Sequence, residues 1–80
     1  MTKRERNKLL QQAYELLQQA YDLIDEVSND ETDSLYNWPE SLQETERYER
    51  AEERSDAIAD LLSNVEENRD TLEGILNDDF

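Results

Sequence analysis

Leu9-Leu10-Gln11-Gln12-Ala13-Tyr14-Glu15 is followed at once by Leu16-Leu17-Gln18-Gln19-Ala20-Tyr21-Asp22, and a weaker third copy, Leu23-Ile24-Asp25-Glu26-Val27-Ser28-Asn29, completes the run. Seven residues make close to two helical turns, so positions recurring at that interval share one side of a helix. Two apolar stripes result. Leu10, Tyr14, Leu17, Tyr21 and Ile24 follow 4-3-4-3 spacing, and Leu9, Ala13, Leu16, Ala20, Leu23 and Val27 run beside them. Together they are too wide for one partner helix, because a two-stranded coiled coil needs a single narrow seam whereas paired seams suit a bundle of three or more helices.

Outward from the repeat, Thr2-Lys3-Arg4-Glu5 has capping-box spacing, which predicts a helix over 3–28, about 40 Å long at ~1.5 Å per residue. Residues 29–40 lose the periodicity. Asn29-Asp30-Glu31-Thr32-Asp33-Ser34 and the following Leu35-Tyr36-Asn37-Trp38-Pro39 have the turn-former content of a connecting loop, with Asn37-x-x-Glu40 and Ser41-x-x-Glu44 as rival caps for the next helix. A second helix is expected over 41–77, on a seam of Tyr48, Ala51, Ser55, Ile58, Leu62, Val65, Arg69, Leu72 and Leu76 broadened by Leu61 and Ile75.

These elements predict an all-α fold in a single domain over 1–80. Its form is an antiparallel two-helix hairpin with heptad-type packing that self-associates into a helical bundle, dimeric or higher. The expected oligomer interface comprises Leu10, Tyr14, Leu17, Tyr21, Ile24, Ile58, Leu62 and Val65. The antiparallel topology also sets the basic start of the first helix beside Glu66, Glu67, Asp70, Glu73, Asp78 and Asp79 at the end of the second. Leu35, Tyr36 and Trp38 are expected to fold down and cap the hairpin; the alternative is an exposed aromatic binding patch.

Twenty-two acidic residues against eight basic give a net charge of −14, and the first eight residues are net +3, leaving −17 for the rest. A field of that sign repels nucleic-acid phosphates and anionic lipid and suits a basic protein partner. With no Cys and no His, disulfides, thiolate metal sites and Cys or Ser-His nucleophilic catalysis are missing, and the single Gly, Gly74, leaves no phosphate-cradling loop. No cofactor and no metal are expected. No apolar run suits a membrane span, and the basic start leads into Gln-rich heptads instead of a signal-peptide core, which favours a cytoplasmic protein.

Chemistry would have to come from carboxylates. Glu49-x-x-Glu52 and Glu67-x-x-Asp70 mimic the paired acids with which all-α nucleotide pyrophosphatases hold Mg²⁺, yet such spacings arise by chance in a chain with 38% charged residues. The chain therefore reads as a non-enzyme. Asp22, Asp25, Glu26, Asp30, Glu31 and Asp33 form a segment without a basic residue and are the candidate protein-binding face. Arg47, Arg50 and Arg54, three and four apart, are expected to pair with neighbouring Glu residues; in an oligomer the same row could hold a phosphate.

From Asn37 to Arg47, Asn-Trp-Pro-Glu-Ser-Leu-Gln-Glu-Thr-Glu-Arg, the chain resembles small acidic proteins of phages and prophages of Gram-positive bacteria. Those carry Asn-Leu-Pro-Glu-Ser-Leu-Gln-x-Ser-Glu-Arg between two heptad-rich helices. Here Trp38 stands where Leu is usual, Thr45 where Ser is usual, and Tyr48 where Gly is common. The resemblance implies a phage-type accessory protein that works by stoichiometric binding in the host cytoplasm. The leading expectation is an acidic, DNA-mimic-like inhibitor of a host defence or nucleic-acid-handling protein with a basic surface. The alternatives are an oligomeric sponge for a nucleotide immune signal, a Mg²⁺-dependent nucleotide pyrophosphatase, and a structural helical spacer.

Overall fold

The computed structural model describes residues 1–77. Two long helices, α1 (Lys3–Tyr36) and α2 (Glu46–Leu76), pack against each other along their length, joined by a connection holding one short 3₁₀ turn at Glu40–Leu42. The all-α hairpin is thus present, as a rod of 61 × 18 × 17 Å. Cross-helix partners give its antiparallel register: Gln18 meets Arg69, Glu31 meets Arg54, and Trp38 meets Tyr48.

Thr2 caps α1 where the capping-box spacing placed it. Its hydroxyl oxygen accepts from the Glu5 N–H at 3.1 Å and donates to the Glu5 carboxylate at 3.2 Å. The far end of α1 differs from expectation, because the helix continues eight residues beyond 28, through the stretch read as loop. The reason lies in the seam. Ser28, Glu31, Leu35 and Trp38 extend the 4-3-4-3 spacing from Ile24 and are all half-buried, so packing continues through positions occupied by polar side chains. Glu31 is held there by Arg54 at 2.6 Å, and the Thr32 hydroxyl bonds back to the Ser28 carbonyl at 2.9 Å, which satisfies a side chain that would otherwise compete with the helix.

Asn37 closes α1, its N–H donating to the carbonyls of Asp33 and Ser34, and Pro39 two residues on cannot extend the ladder. Neither sequence-derived cap for the second helix is used. Pro39 and the 3₁₀ turn occupy the stretch where a start at 41 was expected, and Thr45 caps α2, accepting from the Tyr48 N–H at 3.3 Å while its hydroxyl donates to the Leu42 carbonyl at 2.6 Å. Within the connection Trp38 is half-buried and meets Tyr48 edge-on with ring centroids 5.4 Å apart; the Gln43 side-chain amide clasps the Trp38 carbonyl at 3.1 Å. Leu35 and Trp38 therefore cap the hairpin's tip, whereas Tyr36 is 88% exposed.

The core is thin. Among the described residues Leu72 alone is buried; the other seam residues of both helices are half-covered, as two cylinders in contact along one line require. The accessible surface, 6440 Å², exceeds the about 5,000 Å² expected of a compact monomer of 9.5 kDa. The radius of gyration, 17.9 Å, likewise exceeds the about 12 Å of a compact 80-residue domain.

Candidate functional site

The six carboxylates of the candidate acidic face do not share one surface. Asp22, Glu26, Asp30 and Asp33, spaced four, four and three apart, line one exposed side of α1, and the Gln18 amide donates to Asp22 at 3.0 Å from one turn back. Asp25 lies off this row and is half-buried. Glu31 turns toward α2, where its side chain is 22% exposed and engaged by Arg54. The structure therefore gathers four of the six into a row and assigns Glu31 to the hairpin itself.

The three arginines of the possible phosphate row are likewise divided. Arg50 pairs with Glu46 one turn back at 2.7 Å on open surface, and Arg54 crosses to Glu31. Arg47 lies on a cleft of about 620 Å³ at the tip, lined also by Trp38, Pro39 and Leu42. A phosphate on this row would have to displace the chain's own carboxylates from two of its three guanidiniums.

The paired acids Glu49, Glu52, Glu67 and Asp70 are all exposed on α2. Because both pairs sit on one helix, Glu52 and Glu67 are separated by roughly 22 Å at ~1.5 Å per residue, so one chain cannot close them around a shared cation. Among the described residues no three acidic side chains converge as a metal-holding group. The carboxylates awaited at Asp78 and Asp79 lie outside the described residues.

Leu10, Tyr14, Leu17, Tyr21, Ile24, Ile58, Leu62 and Val65 are half-buried along the line where α1 meets α2 of the same chain. Into this seam Arg69 inserts a polar station. Its guanidinium lies 4.9 Å from the Tyr21 ring centroid, donates to the Gln18 amide oxygen at 3.0 Å and pairs with Asp70 at 3.2 Å. Desolvation pulls the Arg69 pKa down, but the Asp70 hydrogen bond and the carboxylate charges of Asp70 and Glu66 lift it above its ordinary value, so the group stays cationic.

The apolar surface left open is the neighbouring stripe. Leu9, Leu16, Leu23 and Val27 are 51%, 64%, 65% and 45% exposed. Leu61 of α2, 48% exposed, joins Leu23, Ile24, Val27 and Ile58 around a shallow groove of about 240 Å³. Heptad spacing shows both stripes equally in the sequence; which one α2 covers depends on the register of the hairpin. Among the described residues no helix is long and apolar enough to cross a membrane. No protein family, curated protein or solved structure matches this chain.

Proposed function

We propose that this chain is a non-enzymatic, self-associating accessory protein of the phage type, and that it binds a basic, nucleic-acid-facing surface of a host protein stoichiometrically in the cytoplasm. The observation that carries the reading is the distribution of charge. Of eight basic residues, four lie in the first eight positions, and Arg50, Arg54 and Arg69 are each paired with one of the chain's own carboxylates. The row of Asp22, Glu26, Asp30 and Asp33 is exposed beside them. The described residues carry 20 acidic against 8 basic side chains, and a net charge of −12 along a 61 Å rod is one charge per about 5 Å, against ~1.7 Å per charge along duplex DNA. Such a rod offers regularly spaced carboxylates on a rigid helix where a basic protein would otherwise meet phosphates.

The test is capture on the immobilised chain from a lysate of a Gram-positive host, followed by a salt gradient and competition with duplex DNA. Basic nucleic-acid-binding proteins should be retained, released between about 0.1 and 0.5 M salt as screening shortens the Debye length, and displaced by DNA. Asp22→Asn, Glu26→Gln, Asp30→Asn and Asp33→Asn together should slow association by about tenfold or more. Capture that persists at high salt and in the quadruple variant would overturn the reading.

A further inference from the structure

We infer that the open stripe of α1 is covered by the same stripe of a second copy, with the two α1 helices antiparallel and related by a two-fold axis between Leu16 and Ala20. Four observations lead there. The first is area. The hairpin exposes about 1,400 Å² more than a compact monomer of its mass, more than the about 800 Å² each partner contributes to an ordinary stable interface.

The second is spacing. Leu9, Ala13, Leu16, Ala20, Leu23 and Val27 alternate by four and three, the pattern of one continuous coiled-coil seam with Leu9, Leu16 and Leu23 as one set of core positions and Ala13, Ala20 and Val27 as the other. Antiparallel coiled coils pair one set with the other across each layer. About the proposed axis the layers are Leu16 with Ala20, Ala13 with Leu23, and Leu9 with Val27, so in the inner layers each large side chain faces a small one. A parallel pair would stack Ala13 on Ala13 and Ala20 on Ala20, alternating narrow layers with wide ones.

The third is charge. One layer, three residues, beyond each end of the apolar run, the same register sets Arg6 opposite Asp30 twice over, both exposed in the single hairpin, with Thr2 opposite Ser34 beyond them. A parallel pair would oppose Arg6 to Arg6 and Asp30 to Asp30. Shifting the antiparallel register by a heptad in either direction puts Leu23 against Arg6 or Ala13 against Asp30.

The fourth lies on α2. Leu61 shares a groove with Leu23 and Val27 beside the stripe, and Ile75, 40% exposed, recurs two heptads further along the same side of α2, so both would close over the stripe's outer layers as a four-helix bundle.

The test is sedimentation equilibrium of the full chain at about 1–50 μM with a charge-swap series. The wild type should sediment as a dimer. Arg6→Asp should weaken dimerisation at least about tenfold, and adding Asp30→Arg to the same chain should restore it, because each exchange is repeated across the axis. Circular dichroism of each variant separates lost pairing from lost helix. A wild-type monomer at 50 μM, a dimer indifferent to Arg6→Asp as parallel pairing requires, or a double variant that is not rescued would each overturn the proposal. Asp30 belongs both to this pairing and to the acidic row, so host-protein capture is read with Asp22→Asn, Glu26→Gln and Asp33→Asn alone, which leave the Arg6–Asp30 pairs intact and keep failure of the dimer distinguishable from failure of the acidic binding face.

Discussion

Trp38 and Tyr36 sit two residues apart in one aromatic cluster, yet they belong to different environments. Trp38 is half-buried against the Tyr48 ring, while Tyr36 stands almost wholly in water. Trp38→Ala should therefore lower stability by about 1–3 kcal/mol, less than a fully buried truncation because the ring is partly solvated. Tyr36→Ala should change it by no more than about 0.5 kcal/mol. Urea unfolding followed by circular dichroism checks both, and equal losses at the two positions would show that the tip is not built as described. Arg69 gives a second test at this scale. Its aliphatic stem lies in the seam while its head engages Gln18, Tyr21 and Asp70. Arg69→Met, which keeps an apolar chain in the seam, should preserve the melting temperature, and Arg69→Ala, which leaves a gap there, should lower it.

At the scale of the helix, Thr45 terminates α2 with two hydrogen bonds, and Ser41 sits within the 3₁₀ turn. Thr45→Ala should cost about 1 kcal/mol and fray the first turn of α2, with Ser41→Ala nearly neutral, as read by denaturant unfolding and amide exchange at Tyr48. The helices were legible in the sequence wherever apolar residues occupied the seam. The heptads over 9–27, the Thr2 cap, the 3-4 spacing of α2 and the antiparallel hairpin all follow from that pattern. The stretch 29–36 was not legible, since Ser28 and Glu31 occupy seam positions with polar side chains, and the partner that holds Glu31 there, Arg54 of α2, is in place only once the helices are formed. Turn formers such as Asn29, Asp30 and Ser34 then outweigh a periodicity whose apolar marks are missing. The same blindness moved the start of α2, because Asn37, Ser41 and Thr45 all offer caps and the 3₁₀ turn that favours Thr45 depends on the Trp38–Tyr48 contact and the Gln43 clasp. Of the candidate site, the acidic row at Asp22, Glu26, Asp30 and Asp33 was visible as composition, whereas the diversion of Glu31 into a cross-helix pair required the register.

For the whole molecule, the consequence of two cylinders touching along one line is that neither apolar stripe of α1 is fully dry and only Leu72 is buried among the described residues. A core this thin seldom holds an 80-residue chain together alone, and the sequence has no cysteine for a disulfide and neither the cysteines nor the histidines of a structural zinc site. In the proposed dimer a second copy supplies the missing burial, and stability becomes a function of concentration. Thermal unfolding followed by circular dichroism at chain concentrations of about 5 and about 500 μM tests this most directly. If a second copy completes the core, the midpoint should rise by on the order of 5–10 °C across that range by mass action. A midpoint that is cooperative, reversible and the same at both concentrations would show that one hairpin is stable by itself, and would contradict the self-associating bundle.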